Sequence, residues 1–185
     1  PVLIPDAIEY AKRQGVNTKA IIPVDLFGLP APYEEIEKTA AENGLFVLED
    51  AAQGFGGEIS GRKACLFGHA AATSFFPSKP LGCYGDGGAV FTSDDALAHI
   101  LRSIRVHGCG DDKYDNVRVG INGRLNVLQA AVLLEKLAIF PDEVLRRNRA
   151  AEYYTNNLPV GCRAPIVRDN YLSSWAQYSI LLEVD

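Results

Sequence analysis

Short, wholly apolar runs alternate with helical patterns along this chain, and that alternation limits its fold more than any other feature. The runs KAIIPV (19–24), LFVL (45–48), AAATSFF (70–76) and GAVFT (88–92) are apolar almost throughout. Strands made of them would have no polar face. Such strands need cover on both sides, which is what a parallel sheet between two layers of helix provides. Between the runs the period changes from strand to helix. Residues 5–14 read as a short helix. Pro32 to Asn43 places Ile36, Thr39 and Ala40 at helical spacing, with Gly44 as its stop. Ser93 and Asp94 open a helix over about 94–106, with Ala96, Leu97, Ile100, Leu101 and Ile104 on one face. LNVLQAAVLLEKLAI (125–139) predicts a strong helix that Pro141 ends, followed by a second helix over 142–157. Residues 160–174 read as loop and 175–184 as a strand. The expected class is α/β: three layers, α/β/α, around a mainly parallel sheet.

Composition removes several alternatives. Hydrophobic residues are 48% and charged residues 22%, ordinary globular usage that excludes disorder, collagen and a coiled coil. No apolar run approaches the roughly 20 residues of a membrane-spanning helix. A net charge of -5, from 18 basic and 23 acidic residues, argues against a general nucleic-acid partner. Four cysteines are widely spaced, with no C-x-x-C pair, and read as free thiols of a reducing, cytoplasmic compartment rather than as metal ligands. The chain has no methionine, opens on Pro1 and stops directly after YSILLEV (178–184). It is expected to be a processed chain or a piece of a longer one, truncated at both ends.

Two segments carry chemistry. Open parallel sheets bind ligands at the carboxyl ends of their strands, and EDAAQ (49–53) follows the run LFVL there. A carboxylate delivered by a buried strand wants a cationic partner. Asp50 could instead cap the next segment. The second segment, SFFPSKPLGCYGDGG (74–88), sets Lys79 between a strand and a glycine-rich turn. Pro77 and Pro80 exclude a regular helix through it. A stiff loop of this kind suits a lysine used as a nucleophile, whose amine would be freed by desolvation among Phe75, Phe76 and Tyr84. The alternative is a solvated lysine beside a phosphate-binding glycine loop. Neither a P-loop nor a dinucleotide fingerprint is present. The cluster Arg146, Arg147, Arg149 could bind an anion, but reads better as the solvated face of a helix.

These two strings, followed by VGINGRLNVLQAA (119–131), together resemble the DegT/DnrJ/EryC1/StrS family of pyridoxal-phosphate sugar aminotransferases, over about residues 19 to 182. The resemblance implies the large domain, in part, of the type I aspartate aminotransferase fold. Residues 1–140 would belong to it, and 141–185 to a linker helix and the start of the C-terminal small domain. It implies that Lys79 is the Schiff-base lysine and that Asp50 pairs with the pyridine nitrogen. Gln53 would lie beside the ring, and Ser74 would bind the phosphate. Asn122 would reach the phosphate of a neighbouring subunit's cofactor, so a homodimer with shared sites is expected. Arg124 would face a substrate carboxylate or a dimer salt bridge, with Tyr84 and His107 as further substrate contacts and Arg105 beside them. The implied reaction moves an amino group from an amino acid, glutamate being the usual donor, to a keto-sugar nucleotide of bacterial polysaccharide or glycan synthesis. Within the family the lysine string most resembles enzymes acting on a UDP-3-keto-uronate. The other reading is a catalytically silent fragment that only binds cofactor or dimerises.

Overall fold

A computed structural model describes residues 1–112 and 114–183. Helix α1 (Ile4–Arg13) is followed by β1 (Ala20–Ile21), a single 3-10 turn (Leu26–Gly28), α2 (Tyr33–Asn43) and β2 (Phe46–Asp50). The short strands β3 (Glu58–Ile59) and β4 (Arg62–Lys63) precede β5 (Ala70–Ser74) and β6 (Gly88–Phe91). Helices α3 (Asp95–Arg105) and α4 (Val127–Asn156) follow, then β7 (Cys162–Arg163), β8 (Tyr171–Leu172) and β9 (Leu181–Leu182).

The central sheet runs β1-β2-β5-β6. β1 with β2 and β2 with β5 are parallel, while β6 returns antiparallel to β5. The sheet is thus mixed, with two of its three pairings parallel. Two small antiparallel sheets, β4-β3-β8 and β7-β9, sit outside it. Asp94 caps α3 by accepting from Ala96 N and Leu97 N, and Gly44 ends α2 in the left-handed conformation at φ 63°. The core lies in three clusters. Ile36 and Ala40 of α2 pack on Leu45 and Val47. Ala51, Cys65 and Ala71 close one face of the sheet. Phe75, Leu81 and Cys83 meet Leu133, Phe140 and Val144 of α4.

Three expectations are corrected. Pro141 does not end a helix: α4 is one helix of 30 residues that carries the proline inside it. Phe140 and Val144, on either side of the proline, both enter the cluster around Phe75. Burying two such side chains contributes about 1.5–3 kcal/mol each, enough to offset the ~3 kcal/mol that proline costs inside a helix. Leu137, whose carbonyl loses its donor, is exposed, so water can replace it. Second, β2 starts at Phe46 rather than at Leu45, and it ends in Glu49 and Asp50 as expected. Third, 175–184 is not one strand. Trp175 sits at φ 48°, and only Leu181–Leu182 pairs; position 184 lies outside the described residues. The preceding stretch is pinned by side chains instead, with Ser174 Oγ donating to Gln53 O at 2.9 Å and Trp175 Nε1 to Asn148 Oδ1 at 3.0 Å.

Candidate active site

The pleat of β2 and β5 divides the site. Asp50 stands opposite Ala72 in register, and Ser74 lies two residues further along β5. All three therefore share one face at the carboxyl end of the sheet. That face is half-open, whereas Glu49, Ala71 and Thr73 on the other face are buried. Asp50 Oδ1 accepts Ala52 N at 3.1 Å, which realises the capping alternative with one oxygen. Its second oxygen has no hydrogen-bond partner among the described residues. Ser74 Oγ accepts Phe76 N at 3.2 Å, which leaves its O–H to donate to an anion.

Lys79 follows β5 on a loop that folds back on itself. Phe75 N donates to Gly87 O and Cys83 N to Phe75 O, each at 2.8 Å, and Lys79 N donates to Phe76 O at 2.9 Å. The backbone approach is close enough that only glycine fits at position 82. The Lys79 side chain is half-buried, and its ammonium has no partner among the described residues. The expected apolar enclosure of this amine is only partly present in the chain. Phe75 is buried in the core, but Phe76 is 48% and Tyr84 78% exposed.

Helix α4 fastens this loop through Gln129 and Lys136, which the sequence did not single out, and through Arg147, which was read as part of a solvated face. Gln129 clasps the Tyr84 backbone, its Oε1 accepting Tyr84 N at 2.7 Å and its Nε2 donating to Tyr84 O at 3.0 Å. Lys136 Nζ donates to Gly82 O at 2.6 Å, and Arg147 Nη2 reaches Pro80 O at 3.4 Å. Arg147 is thus not part of a solvated face, although Arg146 pairs with Asp142 on the surface. The glutamine could have been noticed as a polar residue in the apolar run LNVLQAAVLL; the lysine carries no such signal.

Gln53 is held from the opposite side. Its Oε1 accepts Phe27 N at 2.7 Å, with Phe27 itself at φ 61°. Asn122, Arg124 and His107 form a separate, exposed group on paired backbone. Val106 bridges Asn122, His107 N donates to Ile121 O, and Gly123 N donates to Arg105 O. Leu125, next to Arg124, packs on the Phe75 cluster, which ties this group to the lysine loop. A cavity of about 870 Å³ lies beside β5 and β6, against α3. Of the expected site residues only Arg105 lines it; Asp50, Gln53, Ser74, Lys79, Tyr84, His107, Asn122 and Arg124 do not.

A strand-end carboxylate, a hydroxyl beside it and a stiffened lysine loop on a mixed α/β sheet define the class, and the comparisons agree. The chain belongs to the DegT/DnrJ/EryC1/StrS aminotransferase family, whose model matches residues 3–185. It is 50% identical over 168 residues to the UDP-2-acetamido-2-deoxy-3-oxo-D-glucuronate aminotransferase of Pseudomonas aeruginosa, covering 90% of this chain and 46% of that protein. A crystal structure of a DegT DnrJ EryC1 StrS aminotransferase from Brucella abortus superposes with a TM-score of 0.93 at 53% identity. It covers 96% of this chain and 48% of that one. S. venezuelae DesV, solved in complex with a ketimine intermediate, superposes at 0.84 with 37% identity, over 93% and 47% of the two chains. The chain thus spans about half the length of the relatives it matches.

Proposed function

We propose that this protein is, or is part of, a pyridoxal-phosphate-dependent aminotransferase. It would move the amino group of an amino acid, glutamate by preference, to a keto-sugar nucleotide. A UDP-3-keto-uronate of bacterial polysaccharide or glycan synthesis is the favoured acceptor, on the strength of the 50% identity to the Pseudomonas aeruginosa enzyme. The reaction would take place in the cytoplasm, where nucleotide sugars are made; no helix among the described residues is long and apolar enough to cross a membrane.

The observation that carries the reading is the set of uncommitted groups on one side of the sheet. Asp50 keeps one oxygen free, the Ser74 hydroxyl keeps its proton to donate, and Lys79 has an unpaired amine on a loop braced by α4. These groups fit pyridoxal phosphate, respectively at its pyridine nitrogen, its phosphate and its aldehyde. When bound, the cofactor supplies an electron sink that acidifies the α-carbon of the donor. Lys79 Nζ would hold the cofactor covalently, then take the α-proton and return it. Asp50 would keep a positive charge at the pyridine nitrogen, an ion pair strengthened by its half-buried position. Gln53, fixed by Phe27 N, would lie along the ring edge.

Arg124 offers a fork for a uronate carboxylate, with Tyr84 and His107 beside the substrate. Asn122, exposed in a single chain, would reach the cofactor phosphate of a second subunit in a homodimer. Residues 1–140 would form part of the large domain and 141–185 the linker helix and start of the small domain, with α4 running unbroken across that division. Borohydride reduction of the pyridoxal-phosphate-loaded protein, followed by peptide mapping, tests the reading. The label is expected on Lys79 and absent from a folded Lys79→Ala variant. A label that persists in that variant assigns the site to another lysine.

A further inference from the structure

Directly behind Asp50, on the closed face of the sheet, lie two acids that the site does not use. Glu49 and Asp25 are both 0% exposed. Glu49 Oε1 accepts Cys65 N at 2.6 Å and its Oε2 accepts Phe67 N at 2.9 Å. Asp25 Oδ1 accepts Ala31 N at 3.0 Å and the Tyr33 hydroxyl at 2.8 Å. Asp25 Oδ2 is buried with no hydrogen-bond donor among the described residues, and the Asp25 and Glu49 carboxyl groups lie within hydrogen-bonding reach of each other. Gly54 closes over it, since a β-carbon there would overlap Asp25 Oδ2. A buried carboxylate oxygen with no donor is costly, and two ionised carboxylates in contact without a cation are costlier still.

We propose that Asp25 and Glu49 share a single proton between their carboxyl groups, and that this pair is the positioning element that fixes Asp50 and Gln53 from behind. Asp25 N donates to Asp50 O at 3.0 Å, and the turn that Asp25 opens delivers Phe27 N to Gln53 Oε1. The role assigned to Asp50 and Gln53 rests on the function proposed above; the shared proton does not.

The surroundings favour a protonated pair. Every titratable group acting on it is acidic: Tyr33 from α2, Cys65 from the loop before β5, and Asp50 from β2. Arg62, whose guanidinium lies over the ring of Phe67, is committed to Glu37. Burial, followed by the neighbouring Asp25 charge, pushes the Glu49 carboxyl up to about 8 against the pull of its two backbone donors. Burial likewise raises Asp25. A carboxyl that stays protonated in the fold binds a proton the unfolded chain has already released. Stability from the pair is therefore present below pH 4.5 and is lost as pH rises from there to about 8.

Three measurements on the protein without cofactor test this. Infrared spectroscopy at pH 6 should show a protonated-carboxyl C=O band that Asp25→Asn and Glu49→Gln each remove. The folding equilibrium constant of the parent should fall by up to about tenfold per pH unit between about pH 5 and 8, and Asp25→Asn should flatten that slope. Asparagine keeps the acceptor for Ala31 N and Tyr33 and donates to Glu49 without a titrating proton; Asp25→Ala should instead lose stability at every pH. Amide exchange protection at Phe27 should drop between pH 6 and 9 in the parent and hold level in Asp25→Asn. A parent without the acid band, or an Asp25→Asn variant that keeps the parent's slope, overturns the shared proton. Phe27 protection indifferent to pH overturns the positioning role. Failure of the Lys79 label, by contrast, leaves these three readouts unchanged and counts only against the cofactor site.

Discussion

Replacing Gly82 with alanine measures how tightly the lysine loop is folded. A β-carbon there would sit 2.6 Å from the Pro77 carbonyl oxygen, 2.8 Å from that of Phe76 and 2.9 Å from the Pro77 carbonyl carbon. All three are backbone atoms, which cannot swing aside as the end of a side chain can. Overpacking costs about 1–3 kcal/mol, and three simultaneous backbone collisions put Gly82→Ala at the top of that range, about 3 kcal/mol. Gly61→Ala is the matched control. Its φ is +86° with nothing within 4 Å, so it carries only the left-handed penalty of about 1–2 kcal/mol. With a urea m-value of about 2–3 kcal/mol/M, the midpoint of Gly82→Ala falls by roughly 1 M and that of Gly61→Ala by about half as much. Relief of the collision must move the backbone that carries Lys79, and a shift of ~1 Å can cost about 10²-fold in reaction rate. Capture of pyridoxal phosphate by Lys79 should therefore slow in Gly82→Ala and not in Gly61→Ala. A Gly82→Ala protein as stable as its parent, or more stable than Gly61→Ala, would refute the packing argument.

Asp50→Asn should keep the fold, because asparagine still accepts Ala52 N, yet lower turnover of the loaded enzyme by about 10²-fold or more; steady-state assays decide it, and near-normal turnover removes Asp50 from the chemistry. Arg124→Ala should reduce kcat/KM for a uronate acceptor by about 10-fold to 100-fold and spare a neutral sugar, whereas equal losses exclude carboxylate recognition. Lys136→Met keeps the aliphatic stem and loses the bond to Gly82 O, at a cost of about 1 kcal/mol that thermal melting reads as a drop of about 2–4 °C.

The layers of this fold were legible because each element is locally consistent. The apolar runs, the Asp94 cap and the Gly44 stop all point the same way, and the helices and strands lie close to where those signals put them. What escaped prediction is decided by distant partners. Pro141 is outvoted by Phe140 and Val144 in the cluster with Phe75, some 65 residues away. The expected strand from Trp175 onward does not form at its start, because the chain there is held by the buried Ser174, which bonds to Gly28 and Gln53 instead of to a ladder. EDAAQ drew attention to Asp50; nothing local distinguishes Glu49, whose partners Asp25, Cys65 and Phe67 come from elsewhere in the chain. The aromatic residues around Lys79 suggested a desolvated pocket, but aromatic composition alone does not fix which ring faces inward, and Phe76 and Tyr84 face outward.

Asp50 and Glu49 are neighbours in sequence but belong to different worlds, one open to small molecules and one sealed. The Leu48–Ala70, Glu49–Ala71 and Asp50–Ala72 alignment alone decides which acid goes where. Deleting a single residue from the strand would swap them, burying Asp50 and exposing Glu49. Length changes in this protein should therefore be tolerated in the turns and fatal between Phe46 and Asp50, even where every side chain is kept.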